Sequence, residues 1–245
     1  MTDEPRLAFL LDVDNTLLDN DAAKGEIDRR LRALLGQGEA ERFWALYEEV
    51  RSDTGVVSFP LTLARFDEDT RMRGRAPAGG AAAHEERRRA LAELLMRFPY
   101  ADFVFPGALE TIAHLRALGQ VAILSDGDPA YQPVKIVRSG LGAAVDGYAL
   151  VFAHKEEHRR EITACFPADR YVLVEDKPSV IDKVRTRLLA PLTAVWVKQG
   201  KYAAEGAAES WQGADIAVDA IGDLRSYSAA DFLGGAGRAP AVTRA

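Results

Sequence analysis

The sequence predicts an α/β fold built on a parallel β-sheet, and two observations support this prediction. Short apolar runs rich in β-branched and aromatic residues recur along the 245-residue chain, and helical patterns separate most of them. Several runs are apolar at nearly every position, as is typical of strands that helices cover on both faces. In chain order, the predicted strands are residues 7–13, 121–125, 148–152, 171–175, 193–197 and 216–218.

Helical patterns lie between these predicted strands. Residues 108–118 (ALETIAHLRAL) and 179–189 (SVIDKVRTRLL) carry apolar side chains at helical spacing, and Pro106 lies near the start of the first helix. Residues 20–100 interrupt the alternation of strands and helices. Within them, helical spacing recurs around Phe43, Leu46, Tyr47 and Val50 and again over residues 84–98. We therefore predict an inserted all-helical domain.

The predicted domain boundaries follow from this pattern. Residues 1–19 and 101–233 form the α/β core, and residues 20–100 form the helical insertion. Residues 74–83 (GRAPAGGAAA) are expected to be a flexible break within the insertion. The tail 234–245 (GGAGRAPAVTRA) is expected to be disordered.

The composition excludes several classes of function. A net charge of −6 and a pI near 5.4 argue against a dedicated nucleic-acid-binding protein. The opening MTDEPRLAF lacks the features of a secretory signal, and no apolar run approaches the roughly 20 residues of a membrane-spanning helix. The single cysteine, Cys165, excludes an internal disulfide and is expected to be a small core residue. We expect a cytoplasmic protein.

Two carboxylates end the first predicted strand. In LAFLLDVDNTLLD (residues 7–19), an apolar run leads directly into Asp12 and Asp14. Ionised carboxylates are costly to bury unless a cation pairs with or coordinates them. Open α/β sheets bind ligands at the carboxyl ends of their strands, and a nucleophilic carboxylate beside a proton-exchanging carboxyl suits phosphoryl transfer. A strand-ending turn with a helix cap would use the same residue types, so this motif alone leaves both interpretations open.

Three further motifs follow later predicted strands. Ser125 in VAILSDG precedes Asp126 and Gly127, where a hydroxyl and free backbone amides could hold a phosphate oxygen. Lys155 in VFAHKEEH could neutralise phosphoryl charge. The acids in YVLVEDKPS could share a magnesium ion with the first pair. Individually, these motifs also fit a common turn, a solvated lysine and a charged loop.

The order of the four motifs resembles the haloacid dehalogenase-like superfamily. The resemblance covers about residues 7–19 and 105–218, and DVDNTL and VEDK are its more specific parts. It implies a Rossmann-like core that performs magnesium-assisted phosphoryl transfer on a small phosphorylated metabolite. The helical insertion resembles the type-1 cap of that superfamily, which closes over the site and selects the substrate.

The resemblance also implies a role for each motif residue. Asp12 would be the nucleophile, and Asp14 would be the general acid/base, with its backbone carbonyl also reaching the metal. Glu175 and Asp176 would complete the Mg²⁺ site with Asp12 and Asp14. The phosphate-binding residues would be Ser125, Asp126 and Lys155.

Two positions depart from the common pattern of that superfamily. Val180 stands four residues after Asp176, where many members carry a second aspartate, so Glu175 and Asp176 resemble the paired-acid variant. This leaves the division of metal roles between those two acids open. Asn15 replaces a frequent glycine but leaves both aspartates of the first motif in place.

The same resemblance leaves several reactions open, because a fold does not fix a reaction. Dehalogenases of the superfamily lack the second aspartate, so Asp14 argues against that activity. A phosphonate hydrolase would need a cap lysine, and Lys24 is the only lysine between residues 20 and 100. Lys24 is nevertheless expected to be an exposed charge at the start of a helix. A phosphomutase would use the same core.

Two alternatives lie outside this chemistry. The stretch HKEEH fits a zinc-peptidase pattern in which His154 and His158 bind the metal and Glu157 acts as base. A catalytically inactive binding module is the other alternative, although all four motifs keep chemically competent residues. Arg65, Arg71 and Arg73 could contact an anionic substrate, but we expect most of them to solvate a helix face.

Overall fold

The computed structural model describes residues 5–74, 80–187, 191–201 and 211–234. Its strands are β1 (Leu7–Leu11), β2 (Gln120–Asp126), β3 (Ala149–Phe152), β4 (Arg170–Glu175), β5 (Leu192–Val197) and β6 (Ile216–Val218). All neighbouring strands pair in parallel, in the order β3-β2-β1-β4-β5-β6. The predicted parallel α/β fold is confirmed, because each of the six expected strands is present.

Ten helices accompany the sheet in the described ranges. The first four are α1 (Asn20–Leu35), α2 (Gln37–Thr54), α3 (Phe59–Met72) and α4 (Gly80–Met96). The others are α5 (Ala108–Arg116), α6 (Gln132–Arg138), α7 (Leu141–Ala144), α8 (Arg159–Cys165), α9 (Pro178–Arg187) and α10 (Ala229–Gly234). Short 3₁₀ helices occur at Tyr100–Phe103, Lys155–Glu157 and Ile221–Ser226. None of the described helices is long and apolar enough to cross a membrane.

Helices α1 to α4 form the expected all-helical insertion between β1 and the rest of the core. The predicted apolar face of α2 is buried, and the Phe43 ring centroid lies 5.6 Å from that of Phe66 on α3. Residues 75–79 of the expected flexible break lie outside the described residues. Residues 80–83 contradict it, because they form the first turn of α4, where three consecutive alanines favour a helix.

Residues of β1 alternate between the two faces of the sheet. Phe9 and Leu11 belong to the apolar cluster that also includes the insertion, whereas Leu10 belongs to the cluster on the opposite face. This arrangement explains why the β1 sequence is apolar at every position. In register, Leu11 lies beside Ile123 of β2 and Val174 of β4. The carboxyl ends of β1, β2 and β4 therefore meet at one edge.

The helical insertion is anchored to the core at the start of α6. The hydroxyl of Tyr131 donates to the backbone carbonyl of Leu95 at 3.0 Å and lies 2.8 Å from the hydroxyl of Tyr100. The ring of Tyr131 also packs on Phe59, with centroids 5.0 Å apart. Cys165 contradicts its prediction, because it is exposed at the last position of α8 and not in the core.

Candidate active site

A cavity of about 190 Å³ lies between the carboxyl edge of the sheet and the helical insertion. The sheet edge contributes five carboxylates to its lining: Asp12, Asp14, Asp126, Glu175 and Asp176. Lys155 lies among these acids, while Lys24, Tyr47 and Arg51 face the cavity from α1 and α2. The tertiary structure thus brings together most of the residues that the four motifs singled out.

Lys155 connects the first and the fourth motif. Its Nζ donates to Asp12 Oδ1 at 2.7 Å, to Glu175 Oε2 at 2.6 Å and to the backbone carbonyl of Leu124 at 3.3 Å. The side chain is 1% exposed. Burial alone would lower the pKa of Lys155, but the carboxylates of Asp12 and Glu175 outweigh burial and raise the pKa. Lys155 is therefore a fixed positive charge beside the first aspartate.

The acids of the first and fourth motifs form a group that can hold a cation. Carboxylate oxygens of Asp12, Glu175 and Asp176 lie within 4.8 Å of one another. Burial, followed by the charge of Glu175, raises the pKa of Asp12 to about 8 and that of Asp176 to about 10. Asp176 Oδ2 is buried without a hydrogen-bond partner, although a buried polar atom normally has one. A magnesium ion fits these residues, because it prefers hard carboxylate oxygens.

Asp14 lies beside a lysine that no sequence motif predicted. Lys135 of α6 donates from Nζ to Asp14 Oδ1 at 2.8 Å and to Asp14 Oδ2 at 2.9 Å. The same ammonium donates to Asn20 Oδ1 at 3.1 Å and lies 5.7 Å from the centroid of the Tyr100 ring. Lys135 is buried, whereas the Asp14 side chain is 32% exposed and lines the cavity. The pair fixes the orientation of the Asp14 carboxylate.

The second motif is more enclosed than expected. Ser125 is 1% exposed, and its hydroxyl accepts from Gln132 Nε2 at 3.0 Å. The Asp126 carboxylate accepts from the backbone N–H of Lys155 at 2.7 Å, so it holds the third motif in place. The expectation of a free amide at Gly127 is wrong, because its N–H donates to the backbone carbonyl of Phe152 at 2.8 Å.

Asn15 has a structural role in the turn after β1. Its φ of 62° lies in the left-handed region, which asparagine tolerates better than most residues. The side-chain Oδ1 accepts from the backbone N–H groups of Asn20 and Asp21, at 3.1 and 3.3 Å. Asn15 therefore joins the turn that carries Asp14 to the start of α1, and its replacement of glycine keeps the motif intact.

The zinc-peptidase alternative finds no support in the geometry. The ring of His158 stacks on Phe152 with centroids 3.9 Å apart, and His154 is exposed. Glu157, the expected base, accepts from Arg187 at 3.2 Å. Among the described residues, the only group of three or more ligand-type side chains able to hold an ion is the acidic one, and it contains no histidine.

The cations of the helical insertion divide into two kinds. Each of the three arginines considered from sequence pairs with a carboxylate: Arg65 with Asp53, Arg71 with Asp67 and Arg73 with Glu39. None of these three arginines lines the cavity. The expectation that Lys24 is an exposed charge is wrong, because it is half-buried and lines the cavity.

The comparisons with known proteins agree with the motif order. A family model described as haloacid dehalogenase-like hydrolase matches residues 7–182. A solved structure of a haloacid dehalogenase-like hydrolase from Burkholderia xenovorans is 33% identical in sequence and has a TM-score of 0.80. That match covers 93% of this chain and 98% of the Burkholderia chain. No curated protein matches the chain in sequence.

More distant structures share the fold. The L-2-haloacid dehalogenase of Xanthobacter autotrophicus is 18% identical, with a TM-score of 0.54 and coverage of 89% of this chain and 96% of its own. A haloacid dehalogenase-like hydrolase of Bacillus subtilis with bound magnesium is 17% identical, with a TM-score of 0.55 and coverage of 91% and 98%. At these identities, the likeness concerns the fold alone.

The family assignment rests on the family model and on the Burkholderia structure together. The model spans more than half of the chain, from residue 7 to residue 182, and includes all four motifs. The Burkholderia structure extends the match over nearly the whole chain, including the helical insertion. The chain belongs to the haloacid dehalogenase-like hydrolases.

Proposed function

We propose that this hydrolase is a magnesium-dependent phosphatase that cleaves a small phosphomonoester through an aspartyl-phosphate intermediate. The observation that carries the proposal is the position of Asp12 at the cavity floor, with Lys155 at 2.7 Å and the unpartnered oxygen of Asp176 nearby. A nucleophilic carboxylate with a buried lysine and a metal-binding group beside it suits phosphoryl transfer. Their positive charges would stabilise the negative charge on the phosphoryl oxygens in the transition state.

The proposed reaction has two steps. The Asp12 carboxylate attacks phosphorus, the bond to the leaving oxygen breaks, and Asp14, which enters this step in its protonated form, supplies a proton to that oxygen. Asp14, now a carboxylate, removes a proton from water, whose oxygen attacks the phosphoryl group on Asp12. This second step releases inorganic phosphate and restores the carboxylate of Asp12. Lys155 offsets the negative charge of the phosphoryl oxygens during both steps.

The residues that would hold the magnesium ion are Asp12, Glu175, Asp176 and the backbone carbonyl of Asp14. When bound, the ion supplies positive charge that neutralises the phosphoryl oxygens. The three carboxylates already cluster within 4.8 Å, and the Bacillus subtilis relative binds magnesium in its crystal structure. Lys155 occupies one oxygen of Glu175, so Asp176 is the better candidate for a direct ligand.

Asp14 favours a phosphatase over a dehalogenase. Displacement of a halide from carbon produces no leaving group that needs a proton, so its first step gives an acid at this position no task. Here Asp14 lines the cavity beside Asp12, and a buried lysine holds its carboxylate in place. A proton-transfer residue held in this way suits cleavage of a phosphate ester better than displacement of a halide.

The helical insertion would act as the cap of this site. The insertion lines the cavity through Lys24, Tyr47 and Arg51. There it would exclude water and contact the leaving group of the substrate. Because phosphomutases share the core arrangement, detection of free inorganic phosphate is needed to distinguish hydrolysis from phosphoryl transfer to another hydroxyl.

The test is turnover of para-nitrophenyl phosphate, measured as inorganic phosphate, with magnesium and with excess chelator. We expect hydrolysis that requires magnesium. Rapid acid quenching during turnover should also trap phosphate on Asp12, which mass spectrometry of the digested protein would locate. Hydrolysis that continues unchanged in chelator would refute the magnesium requirement, and a quenched enzyme without phosphate would refute the covalent intermediate.

A second candidate, phosphonate hydrolysis, is favoured by one observation about Lys24. Burial and then the charge of Lys201 lower the pKa of Lys24, which increases the fraction of neutral amine. That amine could condense with an aldehyde-bearing phosphonate and release water. The iminium would then accept the electron pair of the P–C bond as the phosphoryl group passes to Asp12. Borohydride should inactivate the enzyme only with such a substrate present.

A further inference from the structure

We propose that Lys24, with Arg51 and Lys201 beside it, forms a subsite for a second anionic group of the substrate. The preferred substrates are small phosphomonoesters whose leaving group carries a carboxylate or another phosphate. This inference rests on the phosphatase function proposed above and adds the substrate class. The proposed reaction steps assign no role to the cations of the helical insertion, and the subsite would be that role.

Lys24 is a half-buried charge that lacks a carboxylate partner within the described parts of the chain. Its Nζ lies 4.7 Å from the centroid of the Tyr47 ring and 5.8 Å from that of Trp44. Aromatic faces attract an ammonium but do not neutralise it. Partial burial removes water from this charge, so an anionic ligand would restore interactions that the protein does not supply.

Most acids of the cavity lining lie at the sheet edge, together with Lys155 and Lys177, and the helical insertion contributes two cations and one acid, Asp21. The acids of the sheet edge surround Lys155, whereas Lys24 and Arg51 extend from α1 and α2 on the opposite side. Lys201, which follows β5, lines the same cavity. The pKa of Lys24 falls through burial first and then through the charge of Lys201, so the two cations are close enough to interact.

Carboxylates near this cationic group are already engaged. Asp21 is the acid that the insertion contributes to the cavity lining, and its Oδ2 accepts from the backbone N–H of Lys201 at 3.0 Å and from Asn15 Nδ2 at 3.2 Å. Arg51 pairs with Glu48 at 3.6 Å, a long and exposed contact that an incoming anion can displace. The positive charge of Lys24, with Arg51 beside it, is thus available to a ligand.

The position of Lys24 indicates that this lysine would bind the leaving group of the substrate and not the transferred phosphoryl group. The phosphoryl group must lie at Asp12, where Lys155 supplies the nearby positive charge. Lys135 is occupied by Asp14. Lys24 lines the main cavity and also a smaller adjoining pocket of about 40 Å³ between α1 and α6. A substrate that spans the cavity would place its far end beside Lys24.

The experiment compares kcat/KM, with magnesium, for two pairs of substrates that differ in the second anionic group. The first pair is phosphoglycolate and ethyl phosphate, which tests a carboxylate. The second is ethylene glycol bisphosphate and its monophosphate, which tests a phosphate. We expect a preference of about tenfold or more for the anionic member of at least one pair, the size of one charge-assisted hydrogen bond.

Variants of Lys24 test whether the positive charge of this residue causes the substrate preference. Lys24→Met should bring the ratio of the two kcat/KM values in that pair close to one. Lys24→Arg should keep most of the preference because it keeps the charge, and it also separates this role from imine formation, which arginine cannot perform. Arg29→Met is the matched control, since Arg29 is an exposed cation of the same helix that pairs with Glu26.

A binding measurement provides a readout without turnover. Calorimetry with the Asp12→Asn variant should show tighter binding of the anionic member of that pair, and Lys24→Met in that background should remove the difference. Equal kcat/KM and equal binding within both pairs, or a preference that survives in Lys24→Met, would overturn the subsite. Failure to hydrolyse para-nitrophenyl phosphate would instead refute the phosphatase function, and the binding comparison would still decide the subsite.

Discussion

Lys135 and Asp14 form a partly buried ion pair in which one ammonium nitrogen lies 2.8 and 2.9 Å from the two carboxylate oxygens. The two residues are separated by 121 positions in sequence. Because both oxygens are engaged, the carboxylate has one defined orientation at the cavity. Lys135 is therefore a positioning residue for the proposed general acid/base.

The first prediction concerns this ion pair. Lys135→Met should lower kcat by about ten- to a hundredfold, because loss of a charged hydrogen bond frees the Asp14 carboxylate to rotate. KM should change much less, since Lys135 does not contact the proposed substrate. Lys135→Arg should recover only part of kcat, as a planar guanidinium does not replace a compact ammonium.

A double-mutant cycle with Asp14→Asn separates this positioning role from a structural one. Once Asp14 is replaced, Lys135→Met should cause little further loss of kcat, because both residues act through one carboxylate. Thermal unfolding of each variant would verify that the fold is retained. Fully additive losses in the double variant would contradict the assignment.

The second prediction is that Asp12→Asn abolishes turnover while the protein remains folded. An amide cannot serve as the carboxylate nucleophile, but its carbonyl oxygen can still accept from Lys155 Nζ. The measurements are kcat and mass spectrometry after acid quenching, with Asp14→Asn for comparison. Asp14→Asn should slow release of the leaving group and hydrolysis of the intermediate. An Asp12→Asn enzyme with normal kcat would eliminate the covalent mechanism.

The third prediction tests Lys155 against the histidines of HKEEH. Lys155→Ala should lower turnover on the order of a hundredfold or more, comparable to loss of a preorganised donor in an active site. Its removal also leaves the carboxylates of Asp12 and Glu175 facing each other, so the unfolding temperature should fall. Lys155→Arg should restore part of the activity, because the charge remains.

The matched variant for this test replaces His154 and His158 together by alanine. We expect it to keep most of its activity, since neither histidine belongs to the acidic group that can hold an ion. Activity and thermal unfolding should be measured for both variants under the same conditions. An inactive histidine variant beside an active, folded Lys155→Ala variant would reverse the assignment.

The fourth prediction is that magnesium stabilises the folded protein. Binding only to the native state at about a hundred times Kd adds roughly 2.7 kcal/mol, which corresponds to an increase in unfolding temperature of about 5–10 °C for a chain of this size. Asp176→Asn should remove most of this increase, because the unpartnered Oδ2 is the proposed ligand atom. Asp219→Asn is the control, as that side chain is 90% exposed. An equal magnesium effect in both variants would place the ion elsewhere.

The fifth prediction concerns Gly200, which packs against the turn of the first motif. A Cβ at this position would lie 2.6 Å from Asn15 Cβ, and the φ of 68° is left-handed. Gly200→Ala should therefore displace Asn15 and lower both the unfolding temperature and kcat. Gly140→Ala is the matched control, because Gly140 has a φ of 80° but no neighbour within 4 Å of the new methyl group.

The two glycine variants share the backbone strain of a left-handed alanine, which costs about 1–2 kcal/mol. Only Gly200→Ala adds a steric clash next to Asp14. Similar unfolding temperatures with normal kcat in both variants would show that the Asn15 turn accommodates the methyl group.

The sequence by itself determined the sheet and the order of the four motifs. Continuous apolar runs such as residues 7–11 are typical of strands covered on both faces, because a half-exposed strand alternates polar and apolar residues. Because all strands of a parallel sheet run in the same direction, their carboxyl ends lie at one edge of the sheet. Asp12, Lys155 and Asp176 were predictable for that reason, since each directly follows or nearly follows a strand.

Only the tertiary structure decided which other side chains reach that edge. Lys135 and Gln132 lie on the short helix α6, where no periodic or motif signal distinguishes them from solvated residues, and the docking of α6 brings them to Asp14 and Ser125. The sequence predicts an exposed charge at Lys24, whereas the packing of the insertion over the cavity leaves this lysine half-buried in the cavity lining. The prediction for Cys165 is wrong in the opposite sense, since a residue expected in the core is exposed. A small side chain fits either the surface or the core. Burial and contacts depend on how helices pack across the sheet, and local sequence encodes the helices but not the rotation and depth of that packing.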